Sequence, residues 1–366
     1  MTDFVVPLRT DLAGVRSYGA PQLDVPVQLN VNENPFPLPD KVAEAMGNAV
    51  RDLAPGLHRY PPREAVNLRR DLAAYLRRES GVDLPFEQVW PANGSNEVMH
   101  HLFLAFGGPG RTAISFEPTY SMYPEYARDT FTRYLAFPRA EDFSVVVDFA
   151  IAQIEDLRPS MVLLASPNNP TGTALPIDDL ISIAHSSMRT GTMVIVDEAY
   201  AEFRRDAVPS ALTLLDRFPN LVVTRTLSKA FGLAGARVGY AVAADPAVVE
   251  ACRVVRLPYH LSAVTQVVAS VALAHADLLQ EQVGLLRQER DRLAAWLVEH
   301  GFTVVPSDAN FILFGRFPDR HQVWQGLLDH GVLIRETGPQ EWLRVSIGTE
   351  SENGRFRDAL LSAIGA

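Results

Sequence analysis

From Gln88 onward, short continuous apolar runs alternate with segments of helical spacing. They are Gln88–Ala92, Glu97–Phe106, Thr112–Phe116, Met161–Ser166, Ile177–Ser186, Met193–Val196, Leu221–Arg225 and Gly239–Ala243. A strand that is apolar on both sides must be covered on both faces, so the alternation predicts an α/β fold with a mostly parallel, doubly covered sheet. After Ala276 the texture changes. A charged amphipathic stretch, Leu278 to His300, is long enough for a helix bridging two domains. Beyond it, Thr303–Val305, Phe311–Phe314, a helix near His321–His330, Val332–Arg335 and Leu343–Ile347 read as a small α+β unit. Ahead of the sheet, Pro7, Pro21, Pro26, Pro35, Pro37 and Pro39 forbid long helices and suit an extended arm. The expected organisation is therefore an arm (1–40), a large α/β domain (41–276) and a smaller α+β domain (277–366), which 366 residues at 47% hydrophobic composition can supply with cores.

Charge and cysteine usage narrow the partners. The chain carries a net charge of -10 with no block of like charge, which argues against a nucleic-acid footprint and for small molecules or another protein. Cys252 is the single cysteine, and the Met-Thr-Asp-Phe start has neither the basic flank nor the apolar stretch of a secretory signal, so the expected address is the cytoplasm. The longest uncharged run, Leu257 to Ala276, contains Pro258, His260, Ser262, Thr265, Gln266 and His275 and reads as a loop leading into a buried helix, not as a membrane span.

In open α/β sheets, ligands bind at the carboxyl ends of the strands. Four such ends carry unusual chemistry. Thr226-Leu227-Ser228-Lys229 follows one apolar run, with Gly232, Gly235 and Arg237 close behind, a combination that suits a phosphate. Asp197 ends Met193–Val196; a carboxylate at the mouth of an apolar sheet needs a partner, for which a protonated cofactor nitrogen would serve, although a helix cap is the alternative. Ser166-Pro167-Asn168-Asn169-Pro170-Thr171-Gly172 is a stiff turn that would fix Asn169, or merely a connection. Asn93-Gly94-Ser95-Asn96-Glu97 opens a helix whose free N–H groups could take an anion, or be closed by an ordinary cap. Any one of these features is weak, and a lone lysine near a strand end is usually a solvated charge. Their conjunction in one sheet is the signal. No Cys/His cluster has metal-ligand spacing, and no Gly-x-Ser-x-Gly elbow or Gly-x-Gly-x-x-Gly fingerprint appears.

Asn168-Asn169-Pro170-Thr171-Gly172, Asp197-Glu198-Ala199-Tyr200 and Thr226-Leu227-Ser228-Lys229-Ala230-Phe231-Gly232 with Arg237 resemble the fold-type I aminotransferases that use pyridoxal 5'-phosphate, over nearly the whole chain. Within that group, Tyr18-Gly19-Ala20-Pro21-Gln22-Leu23, Asn32-Glu33-Asn34-Pro35 and Arg59-Tyr60-Pro61 look like the histidinol-phosphate aminotransferases, particularly their actinobacterial form. The resemblance implies that Lys229 holds the cofactor as a Schiff base and acts as general base, and that Asp197 pairs with the ring nitrogen. It implies further that Asn169 and Tyr200 hold the ring hydroxyl, that Tyr120 stacks on the ring, and that Ser95, Asn96, Thr226, Ser228 and Arg237 form the phosphate cup. Tyr60 would reach the cofactor of a partner subunit in a homodimer with composite sites. Tyr18, Asn96, Tyr259, Arg335 and Arg344 would bind the substrate, the two arginines meeting a phosphate or a carboxylate in turn. The implied reaction moves an amino group between histidinol phosphate and 2-oxoglutarate, as part of histidine biosynthesis. An aromatic aminotransferase and a phosphothreonine decarboxylase of the same fold are the alternatives. A non-catalytic pyridoxal-phosphate sensor and an NAD-binding α/β protein rank below them.

Overall fold

The computed structural model describes residues 6–365. Residues 6–26 are irregular and mostly exposed, apart from the short turn Thr10–Leu12. Strand β1 (Val27–Leu29) then leads to helices α1 (Asp40–Leu53) and α2 (Val66–Ser80). The next segment holds β2 (Val89–Ala92), α3 (Gly94–Phe106), β3 (Thr112–Glu117), α4 (Tyr123–Asp129), β4 (Arg133–Pro138), α5 (Val147–Leu157), β5 (Met161–Ala165), α6 (Ile177–Thr190), β6 (Met193–Asp197), β7 (Leu221–Thr226) and β8 (Gly239–Ala243). Three helices follow: α7 (Pro246–Val255), α8 (Ala263–Ala274) and α9 (Ala276–Glu299). The chain ends with β9 (Thr303–Val304), β10 (Phe311–Gly315), α10 (Arg320–Asp329), β11 (Val332–Ile334), β12 (Trp342–Ser346) and α11 (Glu350–Ile364).

The central sheet has seven strands in the order β2-β8-β7-β6-β5-β3-β4. Neighbours from β4 across to β7 are parallel, and β8 runs antiparallel to both β7 and β2. The reversal has a local cause. No helix separates β7 from β8, only the turn 227–238, and a connection without a crossover returns the chain antiparallel. That turn carries Lys229 and Arg237, so the change of direction itself brings them back over the sheet edge. Strands β5, β7 and β8 are buried at every position; β5 and β8 are apolar throughout, whereas β7 is apolar only at Leu221, Val222 and Val223 and buries Thr224, Arg225 and Thr226 as well. Edge strand β4 has no fully buried residue, and its apolar stretch 134–138 is not among the runs read as strands.

Strand β10 pairs antiparallel with β9 and β12, and β1 pairs in parallel with β11, so residues 27–29 are tied to the C-terminal third of the chain. Helix α9 buries Leu279, Val283, Leu286, Arg290, Leu293 and Leu297, a one-sided stripe at helical spacing. The Arg290 guanidinium donates to Phe203 O at 2.7 Å and Ala309 O at 3.4 Å, joining the segment after β6 to the approach to β10. Helix α8 begins at the cap Ser262, whose hydroxyl accepts from Thr265 N, and packs on α1 and α2. No single described helix is long and apolar enough to cross a membrane.

Candidate active site

Asp197 is the last residue of β6 and is buried, with 6% of its surface exposed. Thr224 of β7 donates to its Oδ1 and Tyr123 of α4 to its Oδ2, each at 3.1 Å. Burial pushes the carboxyl up to about 6, and the two hydroxyl donors hold it from rising further. It caps no helix, so the capping alternative falls. Strand alternation places Thr224 and Thr226 on one face of β7 and Arg225 on the other. Arg225 is wholly buried there, paired with Glu198 at 2.8 Å and Glu79 at 2.9 Å. This ion cluster stitches the ends of β6 and β7 together from behind, and no sequence pattern announced it.

Past the end of β7, the Lys229 amine donates to Val31 O at 2.7 Å. Burial and the charge of Arg344 lower it to about 8. The turn is fixed by its hydroxyls: Thr226 Oγ1 accepts from Ser228 N at 3.1 Å, and Arg237 Nη1 reaches Ser228 Oγ at 3.3 Å. Opposite stands the first turn of α3. Two glycines allow the approach, since a Cβ on Gly94 would lie 2.3 Å from Arg237 Nη2 and one on Gly239 would lie 2.1 Å from Ser95 N. The Asn93 side chain does not cap this helix; its amide donates to Glu97 Oε2 at 2.8 Å and His260 O at 2.7 Å. The N–H groups of the first turn are thereby left beside a guanidinium and two hydroxyls, a cradle suited to a phosphate dianion.

The cavity between these parts measures about 240 Å³ and is also lined by Tyr18, Asn96, Tyr120, Asn169, Tyr200, Arg335 and Arg344. Tyr120 Oη donates to Asn96 Oδ1 at 3.2 Å, and Tyr18 Oη lies 3.1 Å from Ser121 Oγ, so the arm crosses the mouth. In the Asn168-Asn169 pair the roles separate. Asn168 is buried and braces the turn through Pro118 O and Thr171 Oγ1, whereas Asn169 faces the cavity, its Oδ1 accepting from Arg344 and its Nδ2 lying 3.5 Å from Tyr200 Oη. Arg344 and Arg335 are held side by side by reciprocal backbone hydrogen bonds of 3.0 Å. Among the described residues neither forms a salt bridge, and Arg344 Nε is buried without a partner. Burial lowers Arg344 to about 10. Two guanidiniums with unspent donors at a cavity wall can take an incoming anion.

Tyr60 and Tyr259 stand apart from this cavity. Tyr60 is 80% exposed and Tyr259 40%, and the two rings stack at 4.5 Å. Tyr259, expected among the substrate-binding residues, lies beside Tyr60 on the outer surface of this chain and not in its cavity. Sequence reasoning overlooked Tyr123 and Thr224 as partners of Asp197, and Asn32, whose amide donates to Tyr200 Oη at 3.0 Å. Only the Asn32-Glu33-Asn34-Pro35 motif hinted at the last.

Comparison with known proteins agrees with this geometry. The family model for aminotransferase class I and II matches residues 25–360. The chain is 56% identical over 360 residues to a histidinol-phosphate aminotransferase of Thermobifida fusca, covering 98% of this chain and 96% of that one. It is 50% identical over 375 residues to one of Bifidobacterium longum, covering 98% and 97%. Among solved structures, a histidinol-phosphate aminotransferase of Sinorhizobium meliloti in complex with pyridoxal-5'-phosphate superposes with a TM-score of 0.85 at 24% identity, covering 100% of this chain and 99% of that one. The N-succinyldiaminopimelate aminotransferase of Mycobacterium tuberculosis gives 0.83 at 25% identity, with 93% of each chain covered.

Proposed function

The chain belongs to the class I and II aminotransferases, and from that premise we propose that it binds pyridoxal 5'-phosphate and moves an amino group between histidinol phosphate and 2-oxoglutarate. The observation that carries the reading is the conjunction, in one cavity, of a lysine lowered to about 8, a buried carboxylate raised to about 6 and an uncapped helix start facing Arg237. These residues fit the cofactor: the carboxylate lacks a cation, the helix start lacks a capping side chain, and the lysine lines the same cavity.

Bound pyridoxal phosphate supplies an electron sink that eases loss of a proton from the carbon bearing the amino group. The chain's own groups do the rest. Burial and the Arg344 charge lower Lys229 to about 8, which favours the unprotonated amine that would hold the cofactor. Once free of the cofactor, the same Nζ would serve as the general base that moves the substrate proton. Asp197, ionised at neutral pH and oriented by Thr224 and Tyr123, keeps the ring nitrogen protonated. Ser95, Asn96, Thr226, Ser228 and Arg237 would hold the cofactor's phosphate, Tyr120 would pack on its ring, and Asn169 and Tyr200 would meet its ring hydroxyl. Arg344 and Arg335 take the phosphate of one substrate and the carboxylate of the other in turn, with Tyr18 closing the mouth.

The proposed assembly is a cytoplasmic homodimer with composite sites. Leu57, Tyr60, Val254 and Leu257 are exposed by 47%, 80%, 83% and 76% around the Tyr60–Tyr259 stack, an apolar patch that a second copy would cover while Tyr60 and Tyr259 reach its cavity. Spectrally monitored half-reactions with histidinol phosphate, phenylalanine and glutamate, side by side, test the substrate. A higher specificity constant for phenylalanine than for histidinol phosphate would reassign the chain as an aromatic aminotransferase.

A further inference from the structure

Asn32 sits where few side chains sit comfortably. Its φ is +56°, in the left-handed region that asparagine tolerates better than most residues, and only 1% of its surface is exposed. Every polar group it has is used. Its backbone N–H donates to Ser346 Oγ at 2.9 Å, and its carbonyl accepts from Asn310 Nδ2 at 3.1 Å. Because the Ser346 hydroxyl already accepts that N–H, its proton is free to go to Asn32 Oδ1, 2.8 Å away. With the Ser346 proton on Oδ1, the amide oxygen is toward Ser346 and the NH2 toward Tyr200, to whose Oη it donates at 3.0 Å. Asn169 Nδ2 also points at Tyr200 Oη, at 3.5 Å. Both neighbours approach the tyrosine oxygen as donors, so its own proton is directed away from them and into the cavity.

We propose that Asn32, pinned by Ser346, is a positioning residue that aims the Tyr200 proton at the ring oxygen of the bound cofactor. The inference rests on the cofactor reading given above and adds a residue whose polar groups are all engaged within the protein. Its physical content is a direction. A hydroxyl that donates to an anionic ring oxygen stabilises that anion, and so loosens the proton shared beside it at the Lys229 linkage. Without Asn32 the hydroxyl is free to turn, the anion is less stabilised and that proton is held more tightly. A purely structural role at the join between β1 and β12 would disturb folding without moving this titration.

The test is a pH titration of the visible absorbance of the purified protein loaded with pyridoxal phosphate. Wild type must first show the bound-cofactor absorbance; if it does not, the cofactor reading itself fails, and the inference with it. Asn32→Gly is the main variant, since glycine accepts the left-handed backbone without strain. We expect its absorbance midpoint to rise by about 0.5 to 1 pH unit, the scale of one hydrogen bond. In a Tyr200→Phe background the same substitution should add no further shift, because there is no hydroxyl left to aim. Ser346→Ala, which removes both the acceptor of the Asn32 N–H and the donor that holds its amide but keeps the Asn32 side chain, should shift the midpoint the same way and serves if Asn32→Gly does not fold. An unmoved midpoint in the folded variant, or an equal shift with and without the Tyr200 hydroxyl, overturns the proposal.

Discussion

Asp197→Asn should make the cofactor-free protein more stable while removing most of its transfer activity. The carboxyl is raised from 3.8 to about 6. An acid raised in this way binds more protons folded than unfolded between those two values, so stability falls as pH rises from about 4 to 6 and stays lowered above. Two units at 1.36 kcal/mol each amount to roughly 3 kcal/mol that the bare carboxylate costs the fold at neutral pH. Asparagine is nearly the same shape. Its oxygen can still accept from Thr224, and the Tyr123 hydroxyl can turn to accept from its NH2, so the loss is the difference between charged and neutral hydrogen bonds, about 1 kcal/mol each. The net gain is on the order of 1 kcal/mol, or roughly 2 °C in melting temperature. Thermal melts of cofactor-free protein at pH 7.5 should therefore favour the variant, and the advantage should shrink toward pH 4. Loaded with pyridoxal phosphate, the variant should keep the cofactor and lose most of its half-reaction rate, because an amide cannot hold the ring nitrogen charged. A variant that is less stable than wild type at pH 7.5 would show that the carboxylate serves the fold. A near-native rate would show that it does not serve the chemistry.

Lys229→Ala should abolish the spectral half-reaction with glutamate; in wild type, the rate of the proton-transfer step should climb with pH and level off above about 8, where the amine is free. An unaltered half-reaction in the variant would remove the lysine mechanism. Mixing inactive Lys229→Ala chains with inactive Tyr60→Phe chains should restore activity, since some heterodimers would own one intact site. No recovery despite proven heterodimers would mean that each site is built from one chain. Arg344→Ala should slow both half-reactions, by the 10- to 100-fold that losing a charge-assisted hydrogen bond of ~1.5–3 kcal/mol brings, whereas Tyr259→Phe should mainly erode the preference for the phosphorylated substrate. Equal effects of Tyr259→Phe on histidinol phosphate and phenylalanine would take that tyrosine out of substrate recognition.

The strands β5, β6 and β7 and the chemistry at their ends were legible because both are written locally. A continuous apolar run dictates a strand covered on both faces, and the Pro, Gly and hydroxyl residues that follow it dictate the turn that displays Asn169, Asp197 or Lys229. What escaped the sequence depends on contacts between segments far apart along the chain. Ser346 is 314 residues from the Asn32 it pins, and Tyr123 is 74 from the Asp197 it orients. The Arg225 cluster joins β7 to α2 across 146 residues, on the face of the sheet that the motifs do not use. Edge strand β4 went unread although residues 134–138 are apolar, because an apolar stretch does not say by itself that it pairs at a sheet edge, and Tyr60 and Tyr259 gave no sign that they would stack with each other outside the cavity. Periodicity and turn chemistry report which way a residue points relative to its own backbone. Which distant residue it meets there is decided by the register of strands and the packing of helices, and those exist only once the whole chain has closed on its core.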